Sequence, residues 1–176
     1  GITSTNTLIV ENAAFAHDRH VIIPEQVGGI PVVGVATAAF QNSQELRSIS
    51  LPATVTEIGT YAFSRCTNLK NVKFAAPEVA LGCEAFSNCG NLKLVDGVAI
   101  TTRSDRAFYR CYKLEKISAT FIGNIYTKTF GNCPELKELS FKNVHFHGEV
   151  FWGCRGLETL YFDENSSLVI FSKLLF

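Results

Sequence analysis

The side chains with chemical potential in this 176-residue chain are six cysteines, four histidines and a few charged residues. Cys66, Cys89, Cys111, Cys133 and Cys154 recur at intervals of 23, 22, 22 and 21 residues. That regularity argues against a zinc cage, which needs ligands converging on one tetrahedral point, and no Cys-x-x-Cys occurs. It also argues against pairing, because a disulfide needs two Cβ vectors to converge, and equivalent side chains on successive copies of one element run parallel. The reading that remains is five free thiols packed as small apolar residues. Ser43 stands 23 residues before Cys66 in the cysteine's place, a hydroxyl that a metal or redox column would not accept. Cys83 lies outside the series and reads as a more accessible thiol.

Among the histidines, His145 and His147 alternate with apolar residues and are followed by Glu149. In an extended segment these three share one face, a plausible beginning of a zinc site, but no fourth ligand presents itself. The same alternation describes the solvent side of a strand whose other side buries Phe146. His17 and His20 have no pattern around them. Arg103, Asp105 and Arg106 interrupt the apolar pattern and read either as a polar site or as a solvated loop. No Gly-x-Ser-x-Gly, His-Glu-x-x-His or phosphate-binding glycine loop occurs. Gly28-Gly29 reads as a turn between strands, and Asn165-Ser166-Ser167 is a glycosylation sequon. The expectation is a chain without catalytic residues, metal or cofactor.

Behind these residues lies a repeat. Phe40, Phe63, Phe86, Phe108, Phe130 and Phe151 each precede a Cys (or Ser43) by three positions. The copies follow Ala-Phe-x-x-Cys-x-x-Leu-x-x-(Ile/Val/Leu)-x-(Phe/Leu). The leucine column is Leu46, Leu69, Leu92, Leu114, Leu136 and Leu157. Next come Ile49, Val72, Val95, Ile117, Leu139 and Leu160, and then Leu51, Phe74, Gly97, Ala119, Phe141 and Phe162. The last two columns alternate with polar residues, the period-2 signature of a half-buried strand. A second apolar pair before the phenylalanine (Val32/Val35, Val55/Ile58, Ile122/Ile125) predicts another short strand on the opposite wall. The Ala-Phe-x-x-Cys stretch predicts a tight helical or 3₁₀ corner. Self-similarity at this period marks a stack in which each unit buries its apolar face against its neighbours. Residues 1–20, with Leu8-Ile9-Val10 and Phe15, are expected to cap the first rung, 21–165 to form the repeats, and 166–176 a last edge, all one domain.

Composition fits. Apolar residues make up 47% and charged ones 18%, and sixteen basic residues balance sixteen acidic ones. This disfavours a disordered chain, and neither net charge nor a local Lys/Arg run points to nucleic acid or an anionic membrane. No apolar stretch approaches the ~18–20 residues of a membrane span. With no methionine in the chain, the expectation is that Gly1 is a processing or cloning remnant, compatible with a removed signal segment.

The stretches VIIPEQVGGIPVVGVATAAF and NSQELRSISLPATVTEIGTYAFSRCTNLKNVKF resemble the BspA-like subclass of leucine-rich repeats, whose mark is "IP…V..IG..AF..C..L". The resemblance covers roughly residues 20–165. It implies an α/β solenoid, a right-handed coil of short parallel strands with one repeat per 21–23 residues. It also implies a secreted or cell-surface protein that acts in adhesion and protein–protein contact, with host or matrix proteins among the candidate partners. The last three copies lose the Pro and Ile-Gly elements, so a relative's binding specificity does not carry over.

On such a stack the exposed strand positions form two columns, Ser48, Asn71, Leu94, Lys116, Glu138 and Thr159, then Ser50, Lys73, Asp96, Ser118, Ser140 and Tyr161. They are the expected partner-binding residues, with Tyr161 the natural anchor. A glycan-binding alternative uses Tyr109 and Trp152, two rungs apart across Gly131 with Tyr112 nearby, as rings flanking a gap ~10 Å wide.

Overall fold

A computed structural model describes residues 7–11, 19–165 and 168–170. Its strands are β1 (Leu8–Val10), β2 (His20–Ile22), β3 (Gln26–Val27), β4 (Ile30–Val35), β5 (Ser48–Leu51), β6 (Glu57–Ile58), β7 (Asn71–Phe74), β8 (Val79–Leu81), β9 (Leu94–Thr102), β10 (Lys116–Ile125), β11 (Glu138–Phe146), β12 (Thr159–Phe162) and β13 (Leu168–Ile170). They form a parallel β-solenoid of about seven turns. One wall runs β2, β5, β7 and the first halves of β9 and β10, in the register His20, Ser48, Asn71, Leu94, Lys116. The other runs β1, β4, β6, β8 and the second half of β9, so that Val35, Ile58, Leu81 and Thr102 lie in line. The exception to parallel pairing is β3, which returns on β4 through Gly28 and Gly29, both at positive φ. That hairpin is the turn the sequence predicts.

In the early rungs the two walls are separate short strands because Pro24, Pro52 and Pro77 follow close on the first-wall strands. A proline offers no N–H to the ladder and ends the pairing there. The later repeats have no such proline, and β9, β10 and β11 run nine, ten and nine residues from one wall into the other.

The core is a single file of rings. Phe40, Phe63, Phe86, Phe108, Phe130 and Phe151 stack face to face with centroids 5.0, 4.9, 5.5, 6.1 and 5.8 Å apart and planes within 16°. In the later rungs other rings meet this file edge-on, Phe121 against Phe130 at 4.9 Å and Phe146 against Phe151 at 5.5 Å. The leucine column Leu46–Leu136 and the cysteine column pack beside it, fully or almost fully buried.

Two expectations need correction. Among the described residues there is no helix, so the fold is all-β and the corners are turns. The reason lies in where the corner amides point. Ala38, Phe40 and Asn42 donate to the carbonyls of Thr60, Ala62 and Ser64 on the next rung, at 2.9, 2.7 and 2.9 Å. A helix would instead spend those N–H groups on its own preceding turn. The alternation needs left-handed residues, and Ala38 and Asn42, Tyr61 and Arg65, Glu84 and Asn88, Arg106 and Arg110, Lys128 and Asn132 all have φ between +51° and +63°.

The second correction concerns register. Phe121, rather than Ala119, pairs with Phe141, and its other neighbour is Ile100. The β9–β10 ladder slips between Ser118 and Thr120, where β9 runs from Asp96 to Ala99 and so carries one residue more. Beyond the slip Thr120 meets Ser140 and Phe121 meets Phe141. Of the expected cap, Leu8–Val10 is strand β1, whereas Phe15 and His17 lie outside the described residues. So do Ser166, Ser167 and most of the expected C-terminal edge, of which Leu168–Ile170 is β13.

Candidate recognition surface

The period-2 alternation of the first wall leaves every second side chain outside. Ser48, Asn71, Leu94 and Lys116 form one continuous column, and Ser50, Lys73, Asp96 and Ser118 a second. Asn71, Lys73, Leu94, Asp96, Lys116 and Ser118 are exposed, and Ser48 and Ser50 are half-buried. Past the slip the columns resume as Glu138 beside Thr159 and Ser140 beside Tyr161. The structure thus assembles the expected residues in two blocks, with Ser140 next to Thr120 rather than Ser118. Tyr161 is 52% exposed and its hydroxyl donates to Glu138 Oε2 at 3.4 Å.

Tyr161 and the 39%-exposed Phe162 also line a groove of about 550 Å³ with Val98, Ile122 and Lys142. Val98 is 62% exposed, and the Lys142–Asp163 ion pair at 3.0 Å sits on the rim. The sequence reading missed this apolar strip because it gave Val98 no role and placed Ile122 with Ile125 in the opposite-wall pair, whereas Ile122 is half-buried and lines the groove. A second groove of about 680 Å³ crosses the other wall, floored by Gly34, Ala36, Gly59 and Gly82 and edged by Cys83 and Arg103. Glycine is required there, since a Cβ on Gly59 would lie 2.5 Å from Thr37 N. The column of small residues at the Ile-Gly element was the available signal. Arg103 ion-pairs with Glu57, two rungs away, at 2.7 Å and Arg106 with Glu84, on the neighbouring rung, at 3.5 Å, so these charges brace the stack.

Tyr109 and Trp152 do not flank an open gap. The Tyr109 ring leans over Gly131, where a Cβ would lie 2.9 Å from its Cδ2. Arg110 caps that ring at 5.1 Å, and Lys128 caps Trp152 at 4.9 Å. Nor do His145, His147 and Glu149 converge. His147 stacks on Tyr126 at 5.2 Å and bonds Asn124 Oδ1, and Glu149 pairs with Lys128. Among the described residues no three of His, Cys, Asp and Glu are placed to hold a metal ion, and no helix is long and apolar enough to cross a membrane.

The repeat unit is therefore a two-strand rung closed by a left-handed corner with a buried Phe and Cys. The family described as BspA type leucine rich repeat region matches residues 33–158 in six copies. The chain belongs to that family. A leucine rich cell surface protein from Faecalibacterium prausnitzii shares its fold at 23% identity and TM-score 0.69, over 94% of this chain and 52% of that one. The present chain thus spans about half the length of that protein. A T. pallidum leucine rich repeat protein is similar at 27% identity and TM-score 0.58, covering 89% and 86%. A leucine-rich repeat protein from Bacteroides capillosus is similar at 18% and TM-score 0.51, covering 92% and 91%. No curated protein matches the chain.

The BspA-type motif also accounts for its cysteine. All six thiols are free, and the five in the column are buried. Each buried thiol donates to the carbonyl of the phenylalanine one rung earlier: Cys66 to Phe40 at 3.0 Å, Cys89 to Phe63 at 3.0 Å, Cys111 to Phe86 at 3.2 Å, Cys133 to Phe108 at 3.2 Å and Cys154 to Phe130 at 2.8 Å. Burial pushes the Cys66 thiol up to about 12 and the Cys154 thiol to about 11, and holds the other three well above the ordinary value of 9.0. These thiols are structural donors, protonated and inert at neutral pH. Sequence reasoning found the packing but missed the donor role, which needs the offset between the Phe and Cys columns.

Proposed function

We propose that the chain is a non-catalytic recognition module, secreted or displayed at a cell surface, that binds a protein partner along the first wall. The observation that carries this reading is the in-register exposed columns next to the Tyr161–Phe162–Val98 strip. A sheet with its core locked by stacked rings offers a rigid face, so little side-chain entropy is lost on contact. Aromatic residues beside an apolar groove are where interface energy concentrates. The description of the Faecalibacterium prausnitzii protein as a cell surface protein supports the location.

The test is binding of the purified chain to a panel of purified matrix and serum proteins. Tyr161→Ala should weaken the interaction found by about 2 kcal/mol, roughly thirtyfold, and Ser118→Ala by less than about 0.5 kcal/mol. Equal affinities for wild type and Tyr161→Ala would sink the assignment of this face.

A further inference from the structure

The residue after each conserved leucine makes a column of its own: Arg47, Lys70, Lys93, Glu115, Lys137 and Glu158. Backbone hydrogen bonds join its early members rung to rung. Arg47 N donates to Arg19 O at 2.7 Å, Lys70 N to Arg47 O at 2.7 Å, Lys93 N to Lys70 O at 2.8 Å, and Glu115 N to Lys93 O at 3.0 Å. Side chains in this column reach one another, as the pairs Lys93–Glu115 at 2.9 Å and Lys137–Glu158 at 3.8 Å show.

In the later rungs the signs alternate. In the early rungs they do not: Arg19, Arg47, Lys70 and Lys93 follow one another ~4.8 Å apart. Arg19 and Lys70 are exposed and Arg47 is half-buried. Among the described residues no ion pair joins Arg19, Arg47 or Lys70 to an acid. Acids on this side include Glu45, two residues before Arg47, and Asp96 on the fourth rung. Glu115 pairs with Lys93 and closes the row, and the charge of Glu135 also reaches Lys93. Among the described residues the unpaired stretch is therefore Arg19, Arg47 and Lys70. Like charges on facing strand positions repel, and an anionic ligand would relieve that repulsion. The balanced net charge hides this row, because its members are 22 or more residues apart in sequence.

We propose that this row binds a linear anionic polysaccharide laid along the solenoid axis. Uronic or sulfated chains carry about one anionic group per sugar ring, and a pyranose ring spans close to one rung. An extended acidic peptide places same-side carboxylates about 7 Å apart, out of step with the ~4.8 Å row. A nucleic-acid single strand gains from successive aromatic stacking platforms, and the adjoining column, His20, Ser48, Asn71 and Leu94, offers a single imidazole at its end. The exposed Asn71 amide suits sugar hydroxyls instead, while the Ser48 hydroxyl is engaged with His20 Nδ1 at 2.7 Å. This row borders the first-wall column at Ser48 and Asn71, on the early rungs, whereas Tyr161 lies on the last described rung.

The test is titration of the chain with a heparin oligosaccharide, with poly-glutamate and an oligothymidylate as comparison ligands. Heparin should bind, with affinity falling as salt rises. The Arg47→Glu/Lys70→Glu double variant should lose about tenfold or more, and Lys137→Glu, in the alternating half, should bind as wild type. Thermal melting monitors folding, and Lys70→Gln repeats the test in milder form with a smaller loss in the same direction. No heparin binding at low salt, equal loss in Lys137→Glu, or equally tight binding of poly-glutamate or oligothymidylate would each overturn the proposal.

Discussion

The cysteine shows how one atom changes the role of a column. Valine would fill much of the same space, yet the sulfur reaches back to the preceding rung's phenylalanine carbonyl, at 3.2 Å for Cys111. These thiols bind their protons more tightly folded than unfolded. Their contribution is therefore complete below the ordinary value of 9.0 and is lost as pH rises through the folded values, about 11 for Cys154 and about 12 for Cys66. Urea unfolding should accordingly give the same midpoint at pH 7 and 8 and a lower one at pH 10.5. A thiol reagent added to the native protein at pH 8 should label Cys83, which is only half-buried, and label the other five on unfolding. Fast labelling of all six in the native state would contradict the buried column.

At the scale of the strand, β10 separates what the pattern dictates from what it leaves open. Ala119 and Phe121 share one parity, so both satisfy an alternation of period 2, and shifting by two residues keeps each side chain on its face. Sequence spacing favoured Ala119, but burial of a phenyl ring favours Phe121, which is 0% exposed. Phe121→Ala should cost about 3–5 kcal/mol of unfolding free energy and Ala119→Gly under about 1 kcal/mol. Both side chains are buried, and comparable losses would show that Phe121 is not the ring packed against Phe141.

The same reasoning explains what else was legible. The Phe, Cys and Leu columns announced themselves because burial restricts residue type at every copy. The left-handed corner did not, since Tyr61, Arg65 and Glu84 adopt positive φ without the glycine that would signal it. Of the candidate face, Ser48 to Lys116 and Ser50 to Ser118 came out in register because β5, β7 and β9 keep the repeat spacing. Glu138 and Ser140 did not, because β11 pairs with β10 from Thr120 against Ser140 onward rather than from Ser118. Tyr109 could be placed on the corner, but which way its ring leans depends on Gly131, a contact between rungs.

For the molecule as a whole, stability is held in contacts between adjacent rungs, and few contacts span further; Arg103–Glu57 reaches across two. Central rungs have a neighbour on each side and terminal ones have fewer, so protection should grade along the axis. Native-state hydrogen exchange should be slowest for the corner amides of Phe63, Phe86 and Phe108, all bonded to the next rung at 2.8 Å. It should be faster for β2 and β12. Uniform protection from end to end would show the chain opening as one unit.

Every second corner amide donates forward, as Ala38, Phe40 and Asn42 do to Thr60, Ala62 and Ser64, and this gives the array a direction. Any interior unit offers the same acceptors to its predecessor and the same donors to its successor. One such unit could be duplicated or excised and the flanking units would still dock, with the ring file and thiol contacts rejoined. Reach along the axis can therefore be lengthened or shortened a rung at a time by unequal crossing-over, while the cross-section stays constant.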